Sequence, residues 1–105
     1  MIKYPSTHFG FISIIVPLYN EADNVRILNE AIHKALKGFK YELLLVNDGS
    51  TDRTGIQLKK LKHPNIIVIE LQKNYGQSLA LSAGIDISKG DYIVTMDGDL
   101  QNDPK

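Results

Sequence analysis

The sequence predicts an α/β fold with a doubly wound, mostly parallel sheet of four strands and three helices. Four short apolar runs are rich in Ile, Val and Leu and do not alternate with polar residues. This composition is typical of strands buried on both faces of a parallel sheet. The segments between these runs have helical periodicity. A strand–helix alternation that repeats three times and ends on a fourth strand indicates a Rossmann-like arrangement.

The predicted strands cover residues 11–16, 41–46, 65–71 and 91–96, and the predicted helices lie between them. In the first helix one stripe carries the apolar residues, which are Val25, Leu28, Ile32, Ala35 and Leu36. Gly38 follows where a left-handed residue would end this helix. The second helix is predicted to begin near Asp52, because Ser50, Thr51 and Asp52 are all N-capping residue types, and to end before Pro64.

The third predicted helix covers about residues 77–88, and Gly90 is expected to close it. We expect this helix to bury the side chains at four apolar positions, which are Leu79, Ala80, Ala83 and Ile87.

Length and composition narrow the class of protein. A chain of 105 residues forms one domain at most, and its 43% of hydrophobic residues can furnish a core. Lys and Arg (12) balance Asp and Glu (12), so the chain lacks the basic footprint of a nucleic-acid-binding protein. With no Cys, a disulfide framework and thiolate metal sites are excluded, which suits the cytoplasmic location that we expect. We expect no signal peptide and no membrane-spanning run of about 18 apolar residues.

Polar segments follow all four predicted strands, at residues 17–21, 47–50, 73–76 and 97–101. In sheets of this kind ligands bind outside the carboxyl ends of the strands. Three of these segments carry carboxylates, and carboxylates that meet at one edge repel each other unless a cation or a hydrogen-bond donor lies among them. We therefore expect a ligand site at this edge.

A dinucleotide-binding oxidoreductase is the first alternative in this fold class. It would need a glycine-rich turn after the first strand, where bare backbone amides bind the pyrophosphate. That turn has no glycine here: Pro17 lacks an amide donor, and Glu21 would repel phosphate. A diphosphate beside the acidic residues, which are Glu21, Asp48, Asp97 and Asp99, requires a divalent metal between carboxylate and phosphate. Oxygen ligands of this type suit Mg²⁺ or Mn²⁺.

Four segments in register resemble family 2 glycosyltransferases, at residues 14–21, 46–52, 73–76 and 90–101. Within that family they are most similar to the polyprenyl-phosphate group, which is dolichyl-phosphate mannosyltransferase-like. The resemblance implies an A-type glycosyltransferase fold, a UDP- or GDP-sugar as donor, and inversion at the anomeric carbon. It also implies a lipid-phosphate or glycan acceptor, a polyprenyl phosphate above all, and a place in cell-wall or glycolipid biosynthesis.

The resemblance also implies roles for individual residues. The nucleotide-binding positions are Pro17, Tyr19, Glu21, Asp48, Lys73 and Asp97, and the metal-binding positions are Asp97, Asp99 and Gln101. Asp48 matches the acid that recognises the base, where it could accept the ring N–H of uracil or the two N–H groups on the edge of guanine. Lys73 could offset donor phosphate charge. Asn47 departs from the family, in which an acid is more usual at this position.

The same resemblance sets the expected domain organisation. Residues 1–10 are predicted to be an N-terminal extension, and residues 11–105 the nucleotide-sugar-binding half of a glycosyltransferase domain, truncated after the acidic metal motif. No catalytic residue is predicted in this part, so we expect it to bind donor without turnover and to self-associate through an exposed strand edge. The full-length protein is expected to work at the cytoplasmic face of the membrane. The alternative is a non-catalytic nucleotide-binding module.

Overall fold

Four parallel strands form a single sheet in the computed structural model, which describes residues 10–98. The strands are β1 (Ile12–Leu18), β2 (Tyr41–Asn47), β3 (Ile66–Glu70) and β4 (Tyr92–Thr95), and their order in the sheet is β3-β2-β1-β4. All three pairings are parallel. The predicted α/β class and the four strands are confirmed, and the strand ends lie within two residues of the predicted ones.

The core lies on both faces of the central strands. β2 is buried along its whole length, because it is flanked by β1 and β3 and covered on both sides. Alternate residues point to opposite faces, so Ile14 and Leu43 pack on one side while Ile15 and Leu44 pack on the other. This two-sided burial explains why the strand sequences are continuously apolar.

Three helices cover the sheet, as predicted: α1 (Val25–Ala35) and α2 (Thr54–Lys59) on one face and α3 (Gln77–Ile87) on the other. A short 3-10 turn, Ala22–Asn24, precedes α1. The helix α1 buries the residues Val25, Leu28 and Ile32, whereas Ala35 at its end is exposed. Gly38 has the left-handed conformation expected of it (φ 93°).

The helix α2 starts two residues later than predicted, and Arg53 rather than Ser50, Thr51 or Asp52 lies at its N-cap position. The carboxylate of Asp52 accepts the backbone N–H of Thr54 at 2.8 Å, so Asp52 precedes the helix and satisfies its first free donor. The helix ends at Lys59, ahead of Pro64.

The prediction for the buried face of α3 is partly wrong. Ala80 is buried, but Leu79 and Ile87 are 56% and 44% exposed, and the second buried position is Gly84. A Cβ atom built on Gly84 would lie 2.5 Å from a methyl group of Ile15. The backbone of α3 therefore approaches the sheet closely through its two smallest residues, and this contact turns the larger side chains outward.

The strand β4 lies at one edge of the described sheet and pairs only with β1. All four of its residues are exposed. Exposed apolar side chains on α3 and from β4 to Met96 include Leu79, Ile85, Ile87, Tyr92, Ile93, Val94 and Met96. In the part of the chain that the structure describes, no helix is long and apolar enough to cross a membrane.

Candidate nucleotide-binding cleft

A cleft of about 390 Å³ lies at the carboxyl ends of the strands. The loops that follow all four strands contribute to it, as expected for an open α/β sheet. Five residues predicted to bind nucleotide line the cleft, and they are Pro17, Tyr19, Glu21, Asp48 and Asp97. The fold thus brings together residues that are up to 80 positions apart in the sequence.

Asp48 is the most enclosed of these residues, with 3% of its surface exposed. Its Oδ1 accepts the backbone N–H of Tyr75 at 2.8 Å. Its Oδ2 accepts the side-chain N–H of Asn74 and the backbone N–H of Gly76, both at 3.1 Å. Burial of a carboxylate is costly, and charge-assisted hydrogen bonds of this kind offset that cost. Asp48 therefore connects the end of β2 to the loop that leads into α3.

Asn74, Gly76 and Gln77 also line the cleft, although the sequence assigned a role only to Lys73 in this segment. Gly76 has a φ of 100°, a backbone conformation that L-residues with a side chain rarely adopt. The sequence feature that could have indicated this loop is the Asn-x-Gly segment after an apolar strand, because Asn and Gly favour turns and tolerate positive φ. It does not identify the partner of Asn74, because that partner lies 26 residues away.

The loops after β1 and β2 are joined by a second polar network. The side-chain oxygen of Asn20 accepts the backbone N–H of Thr51 at 2.8 Å, and Ser50 accepts the backbone N–H of Asn20 at 3.0 Å. The hydroxyl of Thr54 accepts the backbone N–H of Glu21 at 2.8 Å. Asn20 adopts a left-handed conformation (φ 55°), which Asn tolerates better than most residues. These contacts fix the cleft wall that carries Tyr19.

Tyr19 and Glu21 differ in their freedom to meet a ligand. Tyr19 is 46% exposed and lines the cleft. The carboxylate of Glu21 accepts the side-chain N–H of Asn24 at 2.8 Å and is half-buried. The exposed aromatic face is suited to stacking against a base or a ribose, while Glu21 helps to hold the 3-10 turn.

Asn47 and Lys73 lie outside the lining of the cleft. Asn47 is buried, donates to Glu70 at 2.8 Å and accepts the backbone N–H of Ser50 at 3.2 Å, so it bridges β2 to β3. The ammonium group of Lys73 lies 5.4 Å from the centroid of the Tyr75 ring. The structure therefore does not bring Lys73 together with the other predicted nucleotide-binding residues, and its phosphate contact stays a prediction.

The predicted metal site falls only partly within the described chain. Asp97 lines the cleft, whereas Asp99 and Gln101 lie outside the described residues. Gly98 packs tightly on the end of β1, because an added Cβ would lie 2.4 Å from Leu18 and 2.9 Å from the carbonyl oxygen of Pro17. Over residues 10–98, no three acidic or histidine side chains are grouped to hold a metal ion. The carboxylate of Asp97 fits a hard cation such as Mg²⁺ or Mn²⁺ in chemistry, as one ligand of a set.

Comparison with known proteins adds an independent view of this arrangement. The family model described as Glycosyl transferase family 2 matches residues 13–105. Dodecaprenyl-phosphate galacturonate synthase of Rhizobium johnstonii is 44% identical over 99 residues, which cover 90% of this chain and 29% of the relative. Undecaprenyl-phosphate 4-deoxy-4-formamido-L-arabinose transferase of Photorhabdus laumondii is 41% identical over 99 residues, which cover 90% of this chain and 30% of that relative. The chain spans about a third of the length of these relatives.

Solved structures support the same fold. Mannosyltransferase PcManGT from Pyrobaculum calidifontis, in complex with GDP-Man and Mn²⁺, is similar with a TM-score of 0.76 and 25% identity, covering 90% of this chain and 29% of that protein. Glucosyl-3-phosphoglycerate synthase from Mycobacterium tuberculosis, in complex with Mn²⁺, UDP and glucosyl-3-phosphoglycerate, has a TM-score of 0.74 and 25% identity, covering 92% and 36%. The predicted A-type glycosyltransferase architecture is confirmed.

Proposed function

Because this chain belongs to glycosyl transferase family 2, we propose that it is the donor-binding part of a glycosyltransferase. The donor is a nucleoside-diphosphate sugar, either a UDP- or a GDP-sugar, and the sugar is transferred with inversion at the anomeric carbon. One observation carries the proposal: three separate loops bring Tyr19, Asp48 and Asp97 to a single cleft at the carboxyl ends of the strands. A stacking ring and a buried acceptor suit a nucleoside, and an acidic side chain suits a divalent cation that would neutralise the diphosphate.

Each group has a separate task in this proposal. The exposed ring of Tyr19 stacks on the base or the ribose, which contributes roughly 0.5–1.5 kcal/mol beyond area burial. Asp48 accepts a hydrogen bond from the base, and Pro17 and Glu21 shape the pocket wall. Asp97 lies at the rim, where it binds near the ribose and the metal. Lys73 offsets phosphate charge after a change of side-chain rotamer.

We further propose that donor binding uses Mg²⁺ or Mn²⁺, held by Asp97, Asp99 and Gln101. The cation would supply charge neutralisation for the diphosphate as it leaves. The chain's own residues bind the donor and orient it. In the transfer, an acceptor oxygen forms a bond to the anomeric carbon from one face, while the bond to the diphosphate oxygen breaks on the other.

We propose a polyprenyl phosphate as acceptor, because both relatives above are named for reactions of polyprenyl phosphates. The phosphate oxygen of such an acceptor is already anionic, so it can attack with little help from a general base. The proposal therefore requires no catalytic residue in residues 10–98 and leaves acceptor binding to other parts of the protein. We further propose that the full-length protein works at the cytoplasmic face of the membrane that holds this acceptor.

We assign residues 1–10 to an extension and residues 11–105 to the nucleotide-sugar-binding half of the transferase domain. As an isolated 105-residue polypeptide, this half is expected to bind donor without turnover. It is also expected to self-associate, because the exposed edge of β4 is a template for pairing with another chain. Sedimentation of the isolated polypeptide would test this: a concentration-dependent dimer is expected, and a clean monomer at all concentrations would contradict it.

The decisive experiment measures transfer with the full-length protein encoded by the reading frame that contains this chain. UDP- and GDP-sugars are supplied with a polyprenyl phosphate, in Mn²⁺ or in EDTA. Formation of a lipid-linked sugar with release of nucleoside diphosphate is expected only with the metal. Metal-dependent nucleotide binding with no transfer to any lipid or glycan acceptor would favour the non-catalytic module. If no nucleoside diphosphate binds, the donor-site proposal is wrong.

A further inference from the structure

We propose that Asn20 is a positioning residue of the donor site, which holds the main chain beside Tyr19 so that the Tyr19 ring meets the nucleoside in one fixed place. The inference rests on the proposed function. Asn20 itself lies outside the lining of the cleft, so it acts through Tyr19. It belongs to a set of hydrogen bonds between residues 20–22, after β1, and residues 50–54, after β2, which we call the loop junction.

Tyr19 lies between two anchored positions of the main chain. Before it, the carbonyl oxygen of Leu18 accepts the backbone N–H of Asp48 at 2.8 Å. After it, the backbone N–H of Asn20 donates to the hydroxyl of Ser50 at 3.0 Å. Both anchors come from the segment that follows β2. Because Tyr19 is 46% exposed, the main chain has a large share in setting where its ring lies.

The loop junction continues beyond the first anchor. Three consecutive backbone N–H groups are accepted by three side chains, in the pairs Asn20 with Ser50, Glu21 with Thr54 and Ala22 with Asp52, at 3.0, 2.8 and 3.4 Å. Thr54 is completely buried, and its hydroxyl donates to Asp52 at 2.6 Å. The loop after β1 therefore receives from the second loop the hydrogen bonds that a strand would receive from its neighbour.

Asn20 completes the loop junction through its own side chain. Its Oδ1 accepts the backbone N–H groups of Thr51 at 2.8 Å and Asp52 at 3.3 Å, and its Nδ2 donates to the hydroxyl of Thr51 at 3.3 Å. Its φ of 55° is a conformation that glycine adopts without steric cost. A glycine would supply the turn but none of these side-chain bonds. The side chain at position 20 therefore adds a link between the two loops to the turn.

The consequence concerns the nucleoside end of the donor. Without the link, the loop that carries Tyr19 would have to be ordered when a nucleotide binds, and this ordering weakens binding. The diphosphate separates the nucleoside from the anomeric carbon, so the reacting bond is not affected. Loss of the Asn20 side chain should therefore raise KM for the donor and leave kcat nearly unchanged, as expected when a uniform binding contribution is removed.

The test is a double-mutant cycle on the full-length protein, with UDP and GDP as probes and calorimetry in Mn²⁺. Asn20→Gly keeps the left-handed turn and removes the side chain. For whichever nucleotide binds more tightly, we expect Asn20→Gly to weaken binding by about 3- to 10-fold and Tyr19→Ala to weaken it at least as much. Because Asn20 acts through Tyr19, adding Asn20→Gly to Tyr19→Ala should cost less than about twofold more.

Ser13→Ala is the matched control, because Ser13 holds a similar junction at the opposite end of the sheet. Its hydroxyl donates to Glu42 at 2.6 Å and accepts the backbone N–H of Gly90 at 2.8 Å. Thermal unfolding should show a loss of stability in Ser13→Ala at least as large as in Asn20→Gly, since Ser13 is buried and Asn20 is exposed. The nucleotide affinity of the control should nevertheless match that of the unmodified protein.

The outcomes separate this inference from the proposed function. Undiminished binding in Asn20→Gly, or an equal loss with and without the Tyr19 ring, would overturn the positioning role and leave the donor site standing. An equal loss of affinity in Ser13→Ala would show that lowered stability is the cause, and so would a fall in kcat at constant KM during transfer from a UDP- or GDP-sugar show that Asn20 acts elsewhere; either result overturns the inference. Failure of both nucleotides to bind the unmodified protein would instead contradict the proposed function itself.

Discussion

Two buried carboxylates, at opposite ends of β2, have similar burial and hydrogen bonding but different roles. Glu42 near the start of the strand is 5% exposed, and Asp48 just after its end is 3% exposed. Each accepts at least one backbone N–H group from a segment that flanks α3. Lys89, after the helix, donates to Glu42 at 2.7 Å, and Tyr75, before it, donates to Asp48 at 2.8 Å. The strand therefore fixes both ends of α3.

The difference lies in what else surrounds the two groups. Glu42 also accepts the hydroxyl of Ser13 at 2.6 Å, and Ser13 in turn accepts the backbone N–H of Gly90 at 2.8 Å. This network contributes nothing to the cleft, whereas Asp48 lines it. Burial and hydrogen bonding alone therefore do not identify a carboxylate as part of a binding site. Its position at the carboxyl ends of the strands does, because the loops there leave space for a ligand.

The two ends of the sheet also differ in charge, although the net charge of the whole sequence is zero. Acidic residues follow the strands at the cleft end, and they include Glu21, Asp48, Asp52, Glu70 and Asp97. Lysines precede the strands or end the helices at the opposite end, and they include Lys37, Lys40, Lys59, Lys60, Lys62 and Lys89. Cations at helix C-termini and anions near N-termini both complement the helix dipoles. An anionic ligand must nevertheless bind at the acidic end.

The largest effect is therefore expected from removal of the metal. The carboxylates of the cleft repel a diphosphate, so EDTA should weaken UDP binding to the full-length protein by about 100-fold, which lies in the upper part of the usual range for coupling between two ligands. Asp99→Asn should weaken only the metal-dependent part of the affinity. Calorimetry in Mn²⁺ and in EDTA measures both quantities, and equal affinity in the two buffers would refute the metal prediction.

The next effect comes from comparing the two carboxylates directly. Glu42→Gln can keep its two hydrogen bonds as neutral ones, because both reach the same oxygen, and should lower the free energy of unfolding by about 1–2 kcal/mol. Asp48→Asn turns one of two accepting oxygens into a donor that faces an N–H group, so its loss should be larger, at about 1–3 kcal/mol. Only Asp48→Asn should also weaken UDP binding, by about tenfold and in both buffers, because it acts on the base. Denaturant unfolding and calorimetry together make the comparison. Equal losses of UDP affinity in the two variants would show that the cleft does not distinguish the two residues.

A third comparison uses two glycines on opposite sides of the sheet. Gly84→Ala places a methyl group 2.5 Å from Ile15 and should destabilise the fold by about 1–3 kcal/mol, as overpacking does. Gly38→Ala meets open space but keeps a left-handed backbone, so it should cost about 1 kcal/mol. Thermal unfolding gives both values, and a larger loss at Gly38 would show that α3 can move away from the sheet.

The sequence predicted the strands, the helices and the place of the cleft, because these depend on periodicity and on rules for parallel sheets. It predicted less well the details that depend on contacts between distant residues. The prediction that Leu79 is buried was wrong, because no feature of the nearby sequence reveals the close approach of Gly84 to Ile15. The hydrogen bonds of Asp48 could not be predicted either, because its partners lie 26 to 28 residues away. Those contacts decide how much of the carboxylate is left for a ligand.

The smallest effect is expected at the end of the sheet opposite to the cleft, where His33 stacks on His63. The two rings are 3.8 Å apart between centroids and inclined by 9°. Nε2 of His33 bonds to Asn29 at 2.8 Å, and its Nδ1 contacts the hydroxyl of Tyr41. Burial lowers the pKa of His33 below 6.5, and the neighbouring His63 lowers it further. The unfolded chain, in which no such lowering acts, therefore binds a proton at a higher pH than the folded chain does.

The sign of the pH effect follows from this difference. The stabilising contribution is fully present above pH 6.5 and is lost as the pH falls from there through the lowered pKa of His33. Burial opposes ionisation of Asp52, but hydrogen bonds from Thr54 and Ala22 prevail and lower its pKa from 3.8. The stability that Asp52 contributes is therefore lost only as the pH falls below 3.8, outside the range in which His33 acts. Melting temperatures at pH 7.5 and 5.5 should show a modest decrease that His33→Gln reduces. A melting temperature that rises on acidification, or a decrease that His33→Gln leaves unchanged, would show that the stacked pair does not carry the effect.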